Sequence, residues 1–394
     1  MTANPEQRPL TILMIAGEES GDLLGGRLIR ALRESSARPV RILGVGGSSM
    51  VTEGLESLFP MEDLTAFGLS EVLPKIPTIL RRMRQTAAAA VELQPDAMVL
   101  IDAPGFNMRL AERLRHRSFP LIQYVAPTVW AWKPGRAKRL ARSVDEVLCL
   151  FPFEPSWFIR HGLAATDVGH SVVESGANLG DGPAFRREHG VDPQTSLLCM
   201  LPGSRRGEIE RLLPIFGDTA EQLARNRPGL RVVLPTLPAL EQTIREAVAG
   251  WPTRPIVIAG KTEKYDAFAS SNAAIAASGT VALELAMAGT PHIVAYRVSP
   301  PTAWIARRLL TTKYANLVNI LFDEAVIPEF IQQDCTVANL TGAIGPLLEG
   351  GTEASVQIRR LAEARAMFGS STIPPSLRAA QAILRRVDQA AAGS

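Results

Sequence analysis

The chain has 394 residues, 46% of them hydrophobic and 21% charged, with a formal net charge of +3. That length and composition support two or three ordinary domains with sizeable cores and no need of disulfide staples. The charge is too mild to argue for a nucleic-acid partner by itself, and none is expected.

Three cysteines, Cys149, Cys199 and Cys335, are far apart and odd in number. Cys149 and Cys199 lie inside apolar runs and read as buried thiols in a reducing compartment, and no Cys/His cluster has zinc-ligand spacing. The start of the chain lacks a basic segment followed by an apolar run, so a signal peptide is not expected. No stretch approaches the roughly 18–20 apolar residues of a membrane-spanning helix. The expected location is cytoplasmic, or on a membrane surface. Basic residues do cluster, at Arg81, Arg82 and Arg84, at Arg136, Lys138, Arg139 and Arg142, and at Arg307 and Arg308. They are either solvated helix faces or contacts to phosphate and anionic lipid.

From Leu10 onward, short apolar runs alternate with helical segments. Thr11–Gly17, Arg41–Gly47, Ala97–Ala103, Leu121–Ala126 and Glu146–Phe151 have the length and near-continuous apolarity of parallel strands covered on both faces. Segments 23–34 and 109–117 read as helices between them. After a pause around residues 179–192, rich in Gly, Pro and charge, a second set follows: Ser196–Leu201, Arg231–Pro235, Pro255–Ala259, Ala273–Ala277 and His292–Arg297. Alternation of this kind predicts an α/β chain of two Rossmann-like, doubly wound domains facing a cleft. The boundary is placed at 180/181, giving domains 1–180 and 181–394. The Ala/Arg-rich helical end is a candidate to pack back on the first domain.

Ligands of such sheets bind beyond the carboxyl ends of strands. After the first run comes Ala16-Gly17-Glu18-Glu19-Ser20-Gly21-Asp22, where glycines permit tight turns and Ser20 or Asp22 can cap the next helix. Two acidic residues at that edge favour a polar ligand, and the dinucleotide glycine spacing is missing. After Ala97–Ile101, Asp102 closes an apolar strand and Pro104 ends it. Desolvation there would raise the Asp102 pKa toward the range of a general base, and Asn107 is better placed than Asp102 to cap the next helix. In the second half, Pro202-Gly203-Ser204-Arg205 and Ser278-Gly279-Thr280 each follow a strand and open a helix. Helix starts of this kind bind phosphate, and two of them favour a diphosphate. Glu284, one turn further, has the chemistry to accept the hydroxyls of a ribose. The chain contains no Asp-x-Asp pair, so arginine and helix N-termini, without a metal or other cofactor, are expected to stabilise a departing diphosphate.

Other segments fit a lipid-like substrate. Phe67, Leu69, Val72, Leu73, Ile76 and Ile79 precede Arg81 and Arg82, as in an interfacial segment with arginines at headgroup level. Pro74 and Pro77 are expected to break any long helix there. Trp130 and Trp132, beside Lys133 and Arg136, either stack on a ligand or pack internally, and Trp304 beside Arg307 and Arg308 offers the same choice. His161 and His170 read as structural, with His170 near the domain junction.

Taken together, Ala16–Asp22, Ile101-Asp102-Ala103-Pro104, Val125-Ala126-Pro127-Thr128-Val129-Trp130-Ala131-Trp132, Leu201–Arg205 and Ala277–Thr280 resemble the lipid A disaccharide synthases. The resemblance runs from about residue 10 to 370. It implies an inverting, metal-independent transferase of the GT-B type. UDP-2,3-diacylglucosamine and 2,3-diacylglucosamine 1-phosphate would give the β-1,6 disaccharide 1-phosphate and UDP. The work would be done at the cytoplasmic face of the inner membrane by a peripherally bound protein, with the oligomeric state left open. By position Asp102 matches the family's base, Arg205 a diphosphate contact, and Glu18 and Asn319 residues that orient sugars. Gly105 stands where the family usually has a second Asp, which argues against a mechanism needing two carboxylates in that loop. Glu19 in place of Ala, Ser171 in place of Pro, and Val318 also depart from the pattern. The alternatives are another UDP-sugar transferase acting on a lipid-linked acceptor, and a non-catalytic sugar-nucleotide sensor at the membrane.

Overall fold

The computed structural model describes residues 8–64, 69–130, 135–299, 303, 312–368 and 372–392. The chain divides into two compact units, 1–171 together with 371–394, and 172–370. The division falls nine residues before the expected boundary because residues 177–182 already belong to the second unit. There the Asp181 N–H donates to Asp266 at 2.6 Å, and a Cβ on Gly180 would lie 2.1 Å from the Tyr265 carbonyl oxygen.

The first unit holds a seven-stranded parallel sheet in the order β3-β2-β1-β4-β5-β6-β7. Its strands are β1 (Leu10–Ala16), β2 (Val40–Val45), β3 (Glu56–Ser57), β4 (Ala97–Ile101), β5 (Leu121–Tyr124), β6 (Glu146–Cys149) and β7 (Ala164–Asp167). The second unit holds a parallel sheet of β8 (Leu197–Leu201), β9 (Arg231–Pro235), β10 (Ile256–Ile258), β11 (Ala273–Ala276), β12 (His292–Tyr296) and β13 (Glu329–Ile331), in the order β10-β9-β8-β11-β12-β13. In each sheet the strand order reverses direction once, between β1 and β4 and between β8 and β11. Connections leaving such a pair go to opposite faces, so a crevice opens at their carboxyl ends.

Ten strands are the apolar runs read from the sequence; nine of them lie inside their sheets and β10 lies at an edge. The three strands without a matching run, β3, β7 and β13, all lie at sheet edges. An edge strand is half solvated and needs no continuous apolar segment, so it leaves little trace in sequence. The expected helix at 109–117 instead spans Pro104–Arg113 (α4), opened by Pro104 at its first position, where a missing N–H costs nothing. Helix α3 (Leu69–Leu93) is continuous through Pro74 and Pro77, against the expectation of a break. Each proline removes one hydrogen bond near the helix start. The following four turns are anchored by buried Met83, Thr86 and Ala90, and packing outweighs that loss.

Of the helices at the end of the chain, α13 (Val337–Leu348) and α14 (Thr352–Phe368) stay with the second unit. Only α15 (Pro375–Ala392) crosses to the first, where it packs on α1 (Glu19–Ser35). Ala379, Ala380, Ala382, Ile383 and Val387 join that unit's core, and Arg378 donates to the Asp167 carbonyl at 2.6 Å. Cys149, Cys199 and Cys335 are buried free thiols. Among the described residues, no helix is long and apolar enough to cross a membrane.

The α15 contact makes a stability prediction. Ile383 has no exposed surface, so Ile383→Ala should destabilise the first unit by about 2–5 kcal/mol. Hydrogen exchange should then speed up for amides of α1 and β1 while those of β8 and β9 keep their protection. Equal loss in both units would contradict the assignment of α15 to the first.

Candidate active site

In the first unit, the turns after β1 and β4 lie side by side at the point of reversal. A Cβ on Gly17 would sit 3.1 Å from the Ala103 Cβ, so glycine is what allows the two turns to touch. Glu18 is half-buried and extended at the start of α1. Ser20, in the first turn of α1, donates its hydroxyl to Asp102 Oδ2 at 3.1 Å. The sequence motif and the strand-end aspartate thus meet.

Asp102 leaves β4 in a left-handed turn, with φ of +51° followed by +41° at Ala103. Its N–H donates to the Tyr124 carbonyl at 2.9 Å. Burial pushes its carboxyl above the usual aspartate range, while the hydrogen bonds from Ser20 and the Ala103 N–H pull it partly back. A half-buried carboxylate with a raised pKa and a single hydroxyl partner is chemically suited to take a proton. Asn107 does not cap α4 as expected. It lies in the first helical turn, and its amide donates back to the carbonyls of Ile101 at 3.2 Å and Asp102 at 2.7 Å.

Asp22 is not a ligand group and does not cap its own helix. It is buried, and its carboxylate accepts from the N–H groups of Gly47, Ser49 and Met50 at 2.7, 2.9 and 3.0 Å. It thereby caps α2 (Ser48–Thr52), whose start would otherwise leave those donors unsatisfied.

At the carboxyl end of β6 lies a group that sequence reasoning missed. Glu154 is buried and accepts from Leu150 N at 2.9 Å, Phe151 N at 3.1 Å and Trp130 Nε1 at 3.0 Å. Desolvation raises its pKa to about 7 against those three hydrogen bonds, and Asp167 adds to the rise. Trp130 therefore turns its polar edge inward and meets Phe153 edge-on. His170, also buried, lies against Phe151, and burial lowers its pKa to about 4. Trp132, Lys133, Trp304, Arg307 and Arg308 lie outside the described residues.

The second unit presents two turns at its own point of reversal. After β8, Gly203 takes φ of +117° and a Cβ there would meet Glu208 at 2.4 Å. Buried Glu208 accepts from Ser204 N at 3.1 Å and from the Tyr296 hydroxyl at 3.0 Å. The turn before α8 (Arg206–Asn226) is thus shaped from below, and Ser204 and Arg205 stay exposed at the helix start. Arg205 reaches Glu208 at 3.6 Å with 54% of its side chain still exposed. After β11, Ser278 leads to Gly279, whose φ of +145° sits in open space, and to Thr280 at the start of α11 (Thr280–Ala288). Each Glu284 oxygen already accepts one hydrogen bond, from Lys264 Nζ at 2.8 Å and from the Tyr265 hydroxyl at 2.9 Å. A carboxylate oxygen has a second lone pair for a ligand hydroxyl.

Asn319 differs from expectation. It has no exposed surface, and its amide is used entirely within the protein, on Ile327 and on Glu329 at 2.7 Å. Glu329 in turn accepts from the N–H groups of Ala315 and Asn316. In this structure Asn319 braces the segment before α12 (Leu317–Phe322) and makes no surface for a sugar.

The proposed lipid segment is divided. Phe67 lies outside the described residues, and only the backbone of Leu69, Val72 and Leu73 is described. Ile76 is 40% exposed, Ile79 is half-buried and Arg81 is exposed. Arg82, expected at headgroups, instead pairs with Asp63 at 2.7 Å and lies over the Phe59 ring. Among the described residues, no group of three or more His, Cys, Asp or Glu side chains could hold a metal ion.

Comparison with known proteins follows the same lines. A family model described as lipid-A-disaccharide synthetase matches residues 12–374. A lipid-A-disaccharide synthase of Rhodospirillum centenum is 52% identical over 379 residues, covering 96% of this chain and 94% of the relative. In fold, the chain is similar to a UDP-GlcNAc 2-epimerase from Neisseria meningitidis bound to UDP-GlcNAc, with a TM-score of 0.62 at 11% identity over 96% of this chain and 100% of the other. It is also similar to a calicheamicin glycosyltransferase, with a TM-score of 0.62 at 16% identity over 98% and 100%.

Two measurements check this local chemistry. Asp22→Ala strips three N–H donors of their acceptor and should cost about 3 kcal/mol in chemical denaturation. A change within experimental error would show that α2 does not depend on this cap. The second concerns Glu154, whose pKa rises from an unfolded value near 4.5 to about 7. The native state holds this proton where the unfolded chain releases it. The group's contribution is therefore full below the unfolded pKa and is lost as pH rises through the folded one. Glu154→Gln cannot titrate, so the thermal stability of the parent should fall relative to the variant between about pH 5 and 8. A difference between the two that is independent of pH would rule the shift out.

Proposed function

Because the chain belongs to the lipid-A-disaccharide synthase family, we propose that Asp102 is the general base of a sugar transfer whose leaving diphosphate is held by the turns before α8 and α11. The chain is a UDP-sugar-dependent glycosyltransferase of lipid A disaccharide formation. We take the donor to be UDP-2,3-diacylglucosamine and the acceptor 2,3-diacylglucosamine 1-phosphate.

The observation that carries this reading is the state of Asp102. Its carboxyl is raised by burial and held by one hydroxyl at the strand reversal of the first sheet. In the proposed step it takes the proton from the acceptor 6-hydroxyl as that oxygen bonds to the donor's anomeric carbon. The bond from that carbon to the UDP oxygen breaks on the opposite face, giving the inverted, β-1,6 product. Negative charge then grows on the diphosphate. Arg205, Ser204, and the Ser278, Gly279 and Thr280 turn supply charge and donors that answer it without a divalent ion. Glu284 would bind ribose through its remaining lone pairs, and half-buried Glu18 would orient a sugar. Asn319 supports the reading only through the segment it braces.

We place the enzyme at the cytoplasmic leaflet of the inner membrane, held peripherally, with exposed Ile76 and Arg81 of α3 in contact with lipid. Acyl-chain substrates require such an entry.

The test is UDP release from the diacylated donor in detergent with EDTA, with and without the acceptor 1-phosphate. Release that needs acceptor and ignores EDTA is expected. Asp102→Asn should reduce it by roughly 100-fold or more while UDP affinity stays at the parent value. Turnover near the parent rate would remove Asp102 from the role. UDP binding with no acceptor-dependent release would point to a sugar-nucleotide sensor.

A further inference from the structure

Three non-glycine residues with positive φ meet at the carboxyl ends of β4 and β5. Asp102 and Ala103 hold +51° and +41°, and Val125 holds +72°. For a β-branched residue that conformation is a true outlier. It persists only where the surroundings over-determine it.

Gln123 stands among all three. It is 2% exposed, in the middle of a strand whose other side chains are Leu121, Ile122 and Tyr124. Its Nε2 donates to the carbonyl oxygens of Asp102 at 3.2 Å, Tyr124 at 3.2 Å and Val125 at 3.1 Å. Asn107 adds a second amide on the Asp102 carbonyl. The side-chain oxygens of both amides are buried and have no hydrogen-bond partner among the described residues. Carbonyl oxygens accept and cannot donate, so turning either amide over would set oxygen against oxygen. Both are therefore committed to the donor role, at the cost of an unpaired acceptor each.

We propose that Gln123 is a positioning residue for the transfer: its amide ties the left-handed turn after β4 to the one after β5 and so sets the direction in which the Asp102 carboxylate leaves the backbone. The inference rests on the reading of Asp102 as the base. The peptide groups on both sides of the Asp102 Cα are fixed, one by its N–H to Tyr124 and the other by two amides on its carbonyl. Only the side-chain torsions remain, and Ser20 holds those. Without the Gln123 amide, the turn can relax toward ordinary extended backbone and the carboxylate moves with it. A displacement of about 1 Å at a reacting group costs on the order of 100-fold in rate.

The experiment compares Gln123→Leu, Asp102→Asn and the double variant under saturating donor. Gln123→Leu should lower kcat at least tenfold on the scale of such misplacement. Its KM for the UDP-sugar should be unchanged, and the acid limb of its pH–rate profile should shift. In the Asp102→Asn background the same substitution should cause no further loss, because its partner in the reaction is already gone. A purely structural role would instead scale activity with the folded fraction, leave the pH profile in place and multiply with Asp102→Asn. That outcome overturns the proposal. If Asp102→Asn is crippled while Gln123→Leu keeps its kcat and profile, the proposal fails and the base assignment stands. If Asp102→Asn turns over normally, both fall. Should Gln123→Leu not fold, Gln123→Glu keeps the volume and donates only while protonated. Its turnover should decline with rising pH more steeply than the parent's, and a parental profile would overturn the proposal.

Discussion

The left-handed turn at Asp102 and Ala103 is the constraint on which the chemistry of the first unit depends. An L-residue in that region costs on the order of 1–2 kcal/mol, and here two follow each other directly after a buried strand. Continued as β4, the chain would direct Asp102 into the next layer of the core. Turned left-handed, the backbone places the carboxylate beside Ser20 and lets Pro104 open a helix away from the sheet. The neighbours are matched to this. Gly17 leaves room for Ala103, Tyr124 accepts the Asp102 N–H, and two buried amides hold the Asp102 carbonyl. A strained aspartate of this kind is stable because four separate elements hold it.

The same chain uses buried carboxylates to shape turns. Asp22 holds the start of α2, Glu154 the loop after β6, Glu208 the turn before α8, and Glu329 the segment before α12. In each case a buried or half-buried acidic side chain accepts backbone N–H that the turn leaves unsatisfied. This sets the acidic residues that hold loops apart from those proposed to meet a ligand. Glu18 and Asp102 are half-buried at strand ends, and Glu284 lies in the first turns of α11 with side chains as its partners. Asp22, Glu154 and Glu208 are buried and accept backbone N–H groups.

That distinction marks how far the sequence was readable. Ten of the thirteen strands, the doubly wound pattern and the loops at both reversal points follow from apolar run length and turn residues. Asp102 could be singled out because a charged residue closing an apolar strand is rare. Periodicity could not show that Asp22 reaches across to α2, since that contact joins residues 25 to 28 positions apart. Nor could it show that Asn319 turns inward or that α3 runs through two prolines, because both depend on what the rest of the fold supplies. Gln123 did carry a signal, a lone amide in an otherwise apolar strand. Glu154 carried none, lying in a loop where acidic residues are ordinary.

Arginine placement follows the same logic. Two guanidiniums of the basic clusters are engaged, Arg82 with Asp63 and Arg139 with Glu112, and so is Arg378 with Asp167. A cation held by a half-buried carboxylate cannot change partners without leaving that charge uncompensated. Arg205 is different. Its pair with Glu208 is long, at 3.6 Å, against 2.7 Å for Arg82 with Asp63. Glu208 is meanwhile satisfied by Ser204 and Tyr296 and keeps the turn in shape if the arginine departs. The turn that would receive an incoming diphosphate therefore keeps its shape through contacts that do not involve the Arg205 side chain.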